Sequence, residues 1–175
     1  ETERTKIAVR EYLISNNKES LYTKMQGIIY GNYILEAPVQ VYLKSALINL
    51  RKLGHQISIV SHKTKYPIEG DKINLHEAAF KWLEENNFIN KDILGNDYKN
   101  IFFEESLSDK INRIHQLKCD FYIDDLPKIL YLINDNVIKI LFNSNTNMKI
   151  SRENKFINLD RWDKLVSIIE SSKCK

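Results

Sequence analysis

Phe121-Tyr122-Ile123-Asp124-Asp125-Leu126-Pro127 is an apolar run that ends in two adjacent carboxylates and a proline. The apolar part reads as a strand and Pro127 as the first turn of a following helix. Two carboxylates at the end of a buried strand are costly unless a cation or a hydrogen-bond network receives them. Two readings of the pair stand side by side. It can be a hard-cation site, since Mg²⁺ commonly takes one or two carboxylates and completes its shell with water and phosphate. It can equally be acidic dressing at a helix N-terminus, where negative charge answers the macrodipole.

The pattern repeats outward from this stretch. Upstream, Ser106 or Ser108 caps a helix with apolar positions Ile111, Ile114 and Leu117, which leads into the strand Cys119–Ile123. Before it lies a short strand, Asn100 to Phe103, and before that a helix opened by Asn74, with Glu77 three residues on. Leu75, Ala78, Ala79, Trp82 and Leu83 form the buried face expected of that helix. Gln56 to Val60 is the first visible strand, preceded by a helix from Pro38 whose apolar residues recur to Leu53, with Gly54 in the position of a C-terminal cap. Downstream come a short helix from Leu126 to Leu132, a strand from Val137 to Phe142, an extended piece from Phe156 to Leu159 and a last helix capped by Asp160. Strands alternating with helices predict an α/β domain with a largely parallel sheet. Residues 1–36 read as helical and precede the first visible strand, which makes them a cap or insert beside an α/β core of 37–175. Within them Leu21, Met25, Ile28 and Ile29 fall at helical spacing.

The bulk composition narrows the class. The 175 residues suffice for one domain with a sizeable core, or one domain with a small insert. The 26 basic and 23 acidic side chains leave a net charge of +3, too balanced to argue for nucleic acid. Cys119 and Cys174 make no disulfide framework, no apolar run approaches membrane-spanning length, and no secretory segment opens the sequence. These features together predict a cytoplasmic protein with no membrane partner. Glutamate is too large a second residue for routine methionine removal, so the start at Glu1-Thr2-Glu3 leads to the expectation of further chain upstream.

Ligands of open parallel sheets gather at the carboxyl ends of the strands. After the first strand come Ser61, His62 and Lys63, after the second Glu104 and Glu105, and after the third Asp124 and Asp125. A hydroxyl, basic groups and paired carboxylates on one edge suit a phosphate and a divalent cation. Lys110 falls in the first turn of its helix, where a cation opposes the macrodipole. Either it holds a phosphate or neutralises an aspartyl intermediate, or it is a solvated surface lysine.

Ser61 closing Ile57-Ser58-Ile59-Val60-Ser61, then Lys110, then Asp124-Asp125, at separations of 49 and 14 residues, resembles motifs two, three and four of the haloacid dehalogenase-like (HAD) phosphatase superfamily. The resemblance runs from about Pro38 to Phe142. It implies a HAD-like Rossmannoid fold with a mainly parallel sheet and a small helical cap. It further implies that Ser61 and Lys110 hold a transferred phosphoryl group, with His62 and Lys63 gripping the anionic substrate, and that Asp124 and Asp125 hold Mg²⁺. The implied reaction is hydrolysis of a small phosphomonoester through an aspartyl-phosphate. The departure is the family's first motif, a strand ending in Asp-x-Asp that supplies nucleophile and general acid/base. No Asp-x-Asp occurs in this sequence. In the family that strand precedes the others and lies at the centre of the sheet, which puts it upstream of Glu1. The chain by itself is therefore expected to be inactive. The alternative is a non-catalytic HAD-like domain that binds a phosphorylated ligand or a protein partner.

Other constellations are weaker. Ser61 and His62 are adjacent on an extended segment, so their side chains point to opposite faces, which places His62 poorly to activate Ser61, and no Gly-x-Ser-x-Gly elbow surrounds it. His115 and Cys119 are four apart, but the helix ends between them and zinc would need two more ligands, with His62 and His76 the remaining candidates. Lys63, Lys65 and Tyr66 combine basic and aromatic groups in one short loop, thin support for a nucleic-acid site. Tyr22, Met25, Gln26 and Tyr30 share one side of the cap helix and are candidates for leaving-group selection or for packing.

Overall fold

The computed structural model describes residues 6–143 and 156–172. The helices are α1 (Lys6–Ser15), α2 (Glu19–Gly31), α3 (Leu43–Lys52), α4 (Leu75–Glu85), α5 (Leu107–Gln116), α6 (Pro127–Leu130) and α7 (Leu165–Ser172). The strands are β1 (Ile59–His62), β2 (Ile101–Glu104), β3 (Phe121–Asp124), β4 (Ile138–Phe142) and β5 (Ile157–Leu159). Every observed strand pairing is parallel. The fold class is thus α/β, with short parallel sheets flanked by helices. Cys174 lies outside the described residues.

Two compact units divide the chain. The first combines residues 1–38 with 63–87, so it takes in α4 and the loop before it as well as the N-terminal helices. Sequence periodicity alone had grouped residues 63–87 with the core.

In this first unit α2 buries a face different from its apolar one. Leu21, Ile28 and Ile29 are 53%, 47% and 47% exposed, whereas Tyr22, Gly27 and Gly31 are buried. The reason is close approach. A Cβ on Gly27 would lie 2.9 Å from Pro67 Cβ, and one on Gly31 would lie 2.9 Å from Ile73 Cγ2. Two glycines one turn apart let the loop of Pro67 to Ile73 press against the helix backbone, a choice that periodicity of large apolar residues cannot reveal. Gly27→Ala is expected to destabilise this unit. The roughly 1–3 kcal/mol of overpacking against a rigid proline ring exceeds the roughly 1 kcal/mol gained by removing a helical glycine. Faster amide exchange in α2 would register the loss. α4 begins as its sequence predicts, with Asn74 Oδ1 accepting from the backbone N–H groups of His76 and Glu77 at 3.2 Å each. Trp82 Nε1 donates to Ala37 O at 2.9 Å and ties α4 to the segment after α2.

The second unit, residues 39–62 and 88–175, carries both sheets. β1 pairs with β2, and β3, β4 and β5 form a second sheet in that order. Its largest core cluster sets Ala46 and Leu50 of α3 and Leu165 and Ile169 of α7 against Ile140 and Leu159, with Ile57, Phe121 and Ile123 packed alongside. A second cluster joins Ile114 of α5 to Ile133 and Val137, with Val60 of β1 and Tyr122 of β3 against it.

Several element ends shift from their expected places. α3 starts at Leu43, not Pro38, because Tyr42 takes a left-handed backbone (φ 65°) that no α-helix accommodates. β1, β2 and β3 each run farther than expected, so Ser61, His62, Glu104 and Asp124 are strand residues. Asp160 does not cap the last helix. It pairs with Lys164 at 2.7 Å, and a 3₁₀ turn over Trp162–Lys164 precedes α7.

Candidate functional site at the carboxyl ends of the strands

Ser106 ends the β2–α5 turn and caps α5, its hydroxyl accepting from Asp109 N at 3.0 Å. The helix therefore begins beside the carboxyl end of β2, and Lys110 lies in its first turn. After α5 the chain enters β3, whose last residue, Asp124, lies beside the start of α5. There Lys110 Nζ meets Asp124 Oδ2 at 2.8 Å. Their side chains are 10% and 8% exposed, so Lys110 is no solvated surface lysine. The two oppositely charged groups neutralise each other out of water, as buried charge requires.

Tyr122, which sequence reasoning did not single out, completes the cluster. Residues two apart on a strand share a face, and Tyr122 Oη donates to the same Asp124 Oδ2 at 2.9 Å. Oδ1 accepts from Leu126 N at 2.9 Å, an Asx-type bond that shapes the turn into α6. The spacing of a tyrosine and an aspartate at i and i+2 was the available signal. Burial, and then the Asp124 charge and the hydrogen bond to it, push the Tyr122 phenol above its ordinary range. A raised value means that folding favours the protonated phenol. That contribution is complete below the unfolded value of about 10 and is lost as pH rises beyond it. Stability of the native chain is thus expected to fall above about pH 10 by a component that Tyr122→Phe lacks. Urea titrations of the two proteins at pH 8 and pH 11 would measure the difference.

The other candidates are placed differently. Asp125 is exposed, and with the described residues it makes no hydrogen bond or ion pair. Ser61 is half-buried on β1 opposite Phe103, and its hydroxyl has no hydrogen bond among the described residues. His62 ends β1 opposite Glu104 and is exposed. Glu104 accepts from Arg113 Nε at 2.8 Å, and that guanidinium lies over the Phe102 ring. Lys63 belongs to the first unit, where its ammonium sits 4.7 Å from the Tyr30 ring centroid and its carbonyl meets His76 Nε2 at 2.7 Å. Lys65 and Lys72 both approach the Tyr66 ring in the same unit. Among the described residues Lys110, Asp124 and Tyr122 are therefore joined by direct bonds, while Ser61, His62 and Asp125 are not bonded to them.

A hard cation finds limited provision here. Among the described residues no group of three or more His, Cys, Asp and Glu side chains could hold a metal. Asp125 and the remaining lone pair of Asp124 Oδ1 fit Mg²⁺ in the mode where water and phosphate supply most ligands. Burial pushes the Cys119 thiol upward, which disfavours the thiolate that metal binding by a His115–Cys119 pair would need. Among the described residues no helix is long and apolar enough to cross a membrane. The chain matches no protein-family model, no curated protein and no solved structure.

Proposed function

We propose that this chain is the phosphate- and metal-binding part of a Mg²⁺-dependent, HAD-like phosphomonoester phosphatase of the cytoplasm. The supporting observation is the 2.8 Å bond between Lys110 and Asp124 at the carboxyl edge of parallel strands. Two residues 14 apart in sequence meet where an α/β fold places its ligands. In this reading Lys110 and Ser61 hold the phosphoryl oxygens as charge redistributes, and Tyr122 and Leu126 N keep Asp124 in one orientation. Mg²⁺, on Asp124 and Asp125, would offset charge on the phosphoryl oxygens. His62 is assigned to the anionic part of a small organic phosphate. The nucleophile is an aspartate on a strand outside this sequence, and it forms the aspartyl-phosphate that water hydrolyses.

The gene sequence immediately upstream of the Glu1 codon is the first test. An apolar strand ending in Asp-x-Asp is expected. The polypeptide that includes it should hydrolyse para-nitrophenyl phosphate with Mg²⁺, and Lys110→Ala should lower kcat by about 10²–10³-fold. Undiminished turnover in that variant would remove Lys110 from the chemistry. A second reading, a non-catalytic domain that binds a phosphorylated ligand or a protein, is favoured by one feature. Three donors already occupy Asp124, which leaves little for a cation. Phosphate binding without turnover by the longer polypeptide would select it.

A further inference from the structure

Lys110 and Lys139 are the two buried lysines among the described residues, and the proposed function uses only the first. Lys139 is the second residue of β4, which runs between β3 and β5. Its side chain is 7% exposed, and a charge so far out of water needs a partner. Asp135 Oδ1, in the turn before the strand, accepts from its Nζ at 2.8 Å. The pair is lopsided, because the Asp135 side chain is 73% exposed. Both residues line a cleft of about 650 Å³, a volume in the range of small-molecule sites. Its apolar walls are Val137 and Ile138 where β4 begins, Ile157 at the start of β5 and Ile168 of α7. Ile138 stands beside Phe121, the first residue of β3, whereas Asp124 is the last. The cleft thus lies at the amino ends of the strands, about 10 Å along them from the Asp124 row. It is separate from the candidate phosphoryl site and does not rest on the phosphatase reading.

The lining fixes the charge of a ligand. An ammonium carries three N–H groups, and Asp135 is the side chain among the described residues that accepts from Lys139. Ser171 and Ser172 complete the lining, but their hydroxyls donate to Ile168 O at 3.0 and 2.7 Å, which leaves Lys139 as the charged donor of the cleft. One ammonium balances one negative charge. A dianion such as a phosphate monoester would set its second charge against Asp135 and against the C-terminal end of α7, where the helix dipole is negative. A cation would meet the ammonium itself, and a neutral molecule would gain little from it.

We infer that the cleft binds a small aliphatic monocarboxylate, with its carboxylate on Lys139 Nζ and its chain against Ile138, Ile157 and Ile168. Asp135 is the resident counter-ion that the ligand displaces. Water already reaches most of the Asp135 side chain and receives its carboxylate when it lets go, so the exchange costs little. The buried ammonium keeps an anionic partner throughout, and the aliphatic walls gain an apolar cover that a short aspartate cannot give.

The test titrates octanoate into the 175-residue chain and follows backbone amide NMR shifts, with octanol, octylammonium and octyl phosphate as probes of the head group. Saturable shifts centred on Ile138, Ile157, Ile168 and Ser172 are expected with octanoate at millimolar concentration or below. Lys139→Met keeps an apolar stem and removes the charge. It should weaken octanoate binding roughly tenfold or more, the worth of a hydrogen bond to a charged group. Asp135→Asn removes the competing carboxylate at an exposed position and should tighten binding. Octanol should bind the native chain and Lys139→Met alike. Octylammonium and octyl phosphate should bind the native chain more weakly than octanoate does. Should Lys139→Met fail to fold, Asp135→Asn and the head-group series put the same question to a folded protein. The inference is overturned by an absence of saturable shifts or by shifts centred elsewhere. It is equally overturned by octanoate affinity that Lys139→Met leaves unchanged or Asp135→Asn lowers, or by octylammonium or octyl phosphate binding as tightly as octanoate.

Discussion

Asp124→Ala is expected to destabilise the second unit by about 3–5 kcal/mol, the usual cost of breaking a buried ion pair by removing one partner. The substitution strands the Lys110 ammonium, whose side chain is 10% exposed, and leaves Tyr122 Oη and Leu126 N without their acceptor. The size of the loss comes from these orphaned donors more than from the attraction itself. The sharper experiment is therefore a cycle. Lys110→Met combined with Asp124→Ala removes both charges, and the pair should be markedly less destabilised than the sum of the single changes. Tyr122→Phe takes away one hydrogen bond to a charged group and should cost about 1.5–3 kcal/mol. Urea unfolding midpoints of the native chain, the two single variants, the double variant and Tyr122→Phe decide the matter. Additive losses for Lys110 and Asp124 would show that their bond is not formed in solution.

Ile114→Ala is expected to cost about 2–5 kcal/mol. Ile114 is completely buried and touches the neighbourhood of both sheets through Val60 and Tyr122. Its loss removes apolar contact and leaves a cavity whose walls, two strands and a helix, cannot close freely. For a chain of this size the change lowers Tm by about 2–4 °C per kcal/mol. Ile111→Ala, at a half-buried site on the same face of α5, should cost less. Val9→Ala, on the exposed side of α1, should stay within about 0.5 kcal/mol. An Ile114→Ala effect no larger than that of Val9→Ala, in urea titrations, would mean that α5 does not bridge the sheets as described.

These two sites differ in how visible they were. Ile114 was legible from the 3.6-residue period of α5, because a helix with one apolar stripe must bury it whatever the partner is. The Lys110–Asp124 bond was legible only in part. Each residue could be placed at a helix start or a strand end, but their meeting depends on where the chain after α5 lays β3. Tyr122 went unread, since a tyrosine in an apolar strand looks like any other packing residue until its hydroxyl is seen to have a partner.

By itself the sequence determined the alternation of strands and helices, the cap at Asn74 and a cap at Ser106 or Ser108, the apolar faces of α4 and α5, and the placing of a carboxylate pair where a strand gives way to a helix. All of these rest on interactions among residues close in the chain, which the backbone geometry of helix and strand makes periodic. Tertiary structure alone decided that α2 buries Gly27 and Gly31 while Leu21, Ile28 and Ile29 stay exposed, that Tyr42 breaks the helix begun at Pro38, that Lys63 joins the first unit, and that the strands form two sheets rather than one. Each of those outcomes depends on what lies opposite a residue. A glycine is buried because the Pro67 ring comes to within 2.9 Å of where its Cβ would stand, and a strand edge stays open because no described strand lies beside it. Local periodicity carries no record of that neighbour.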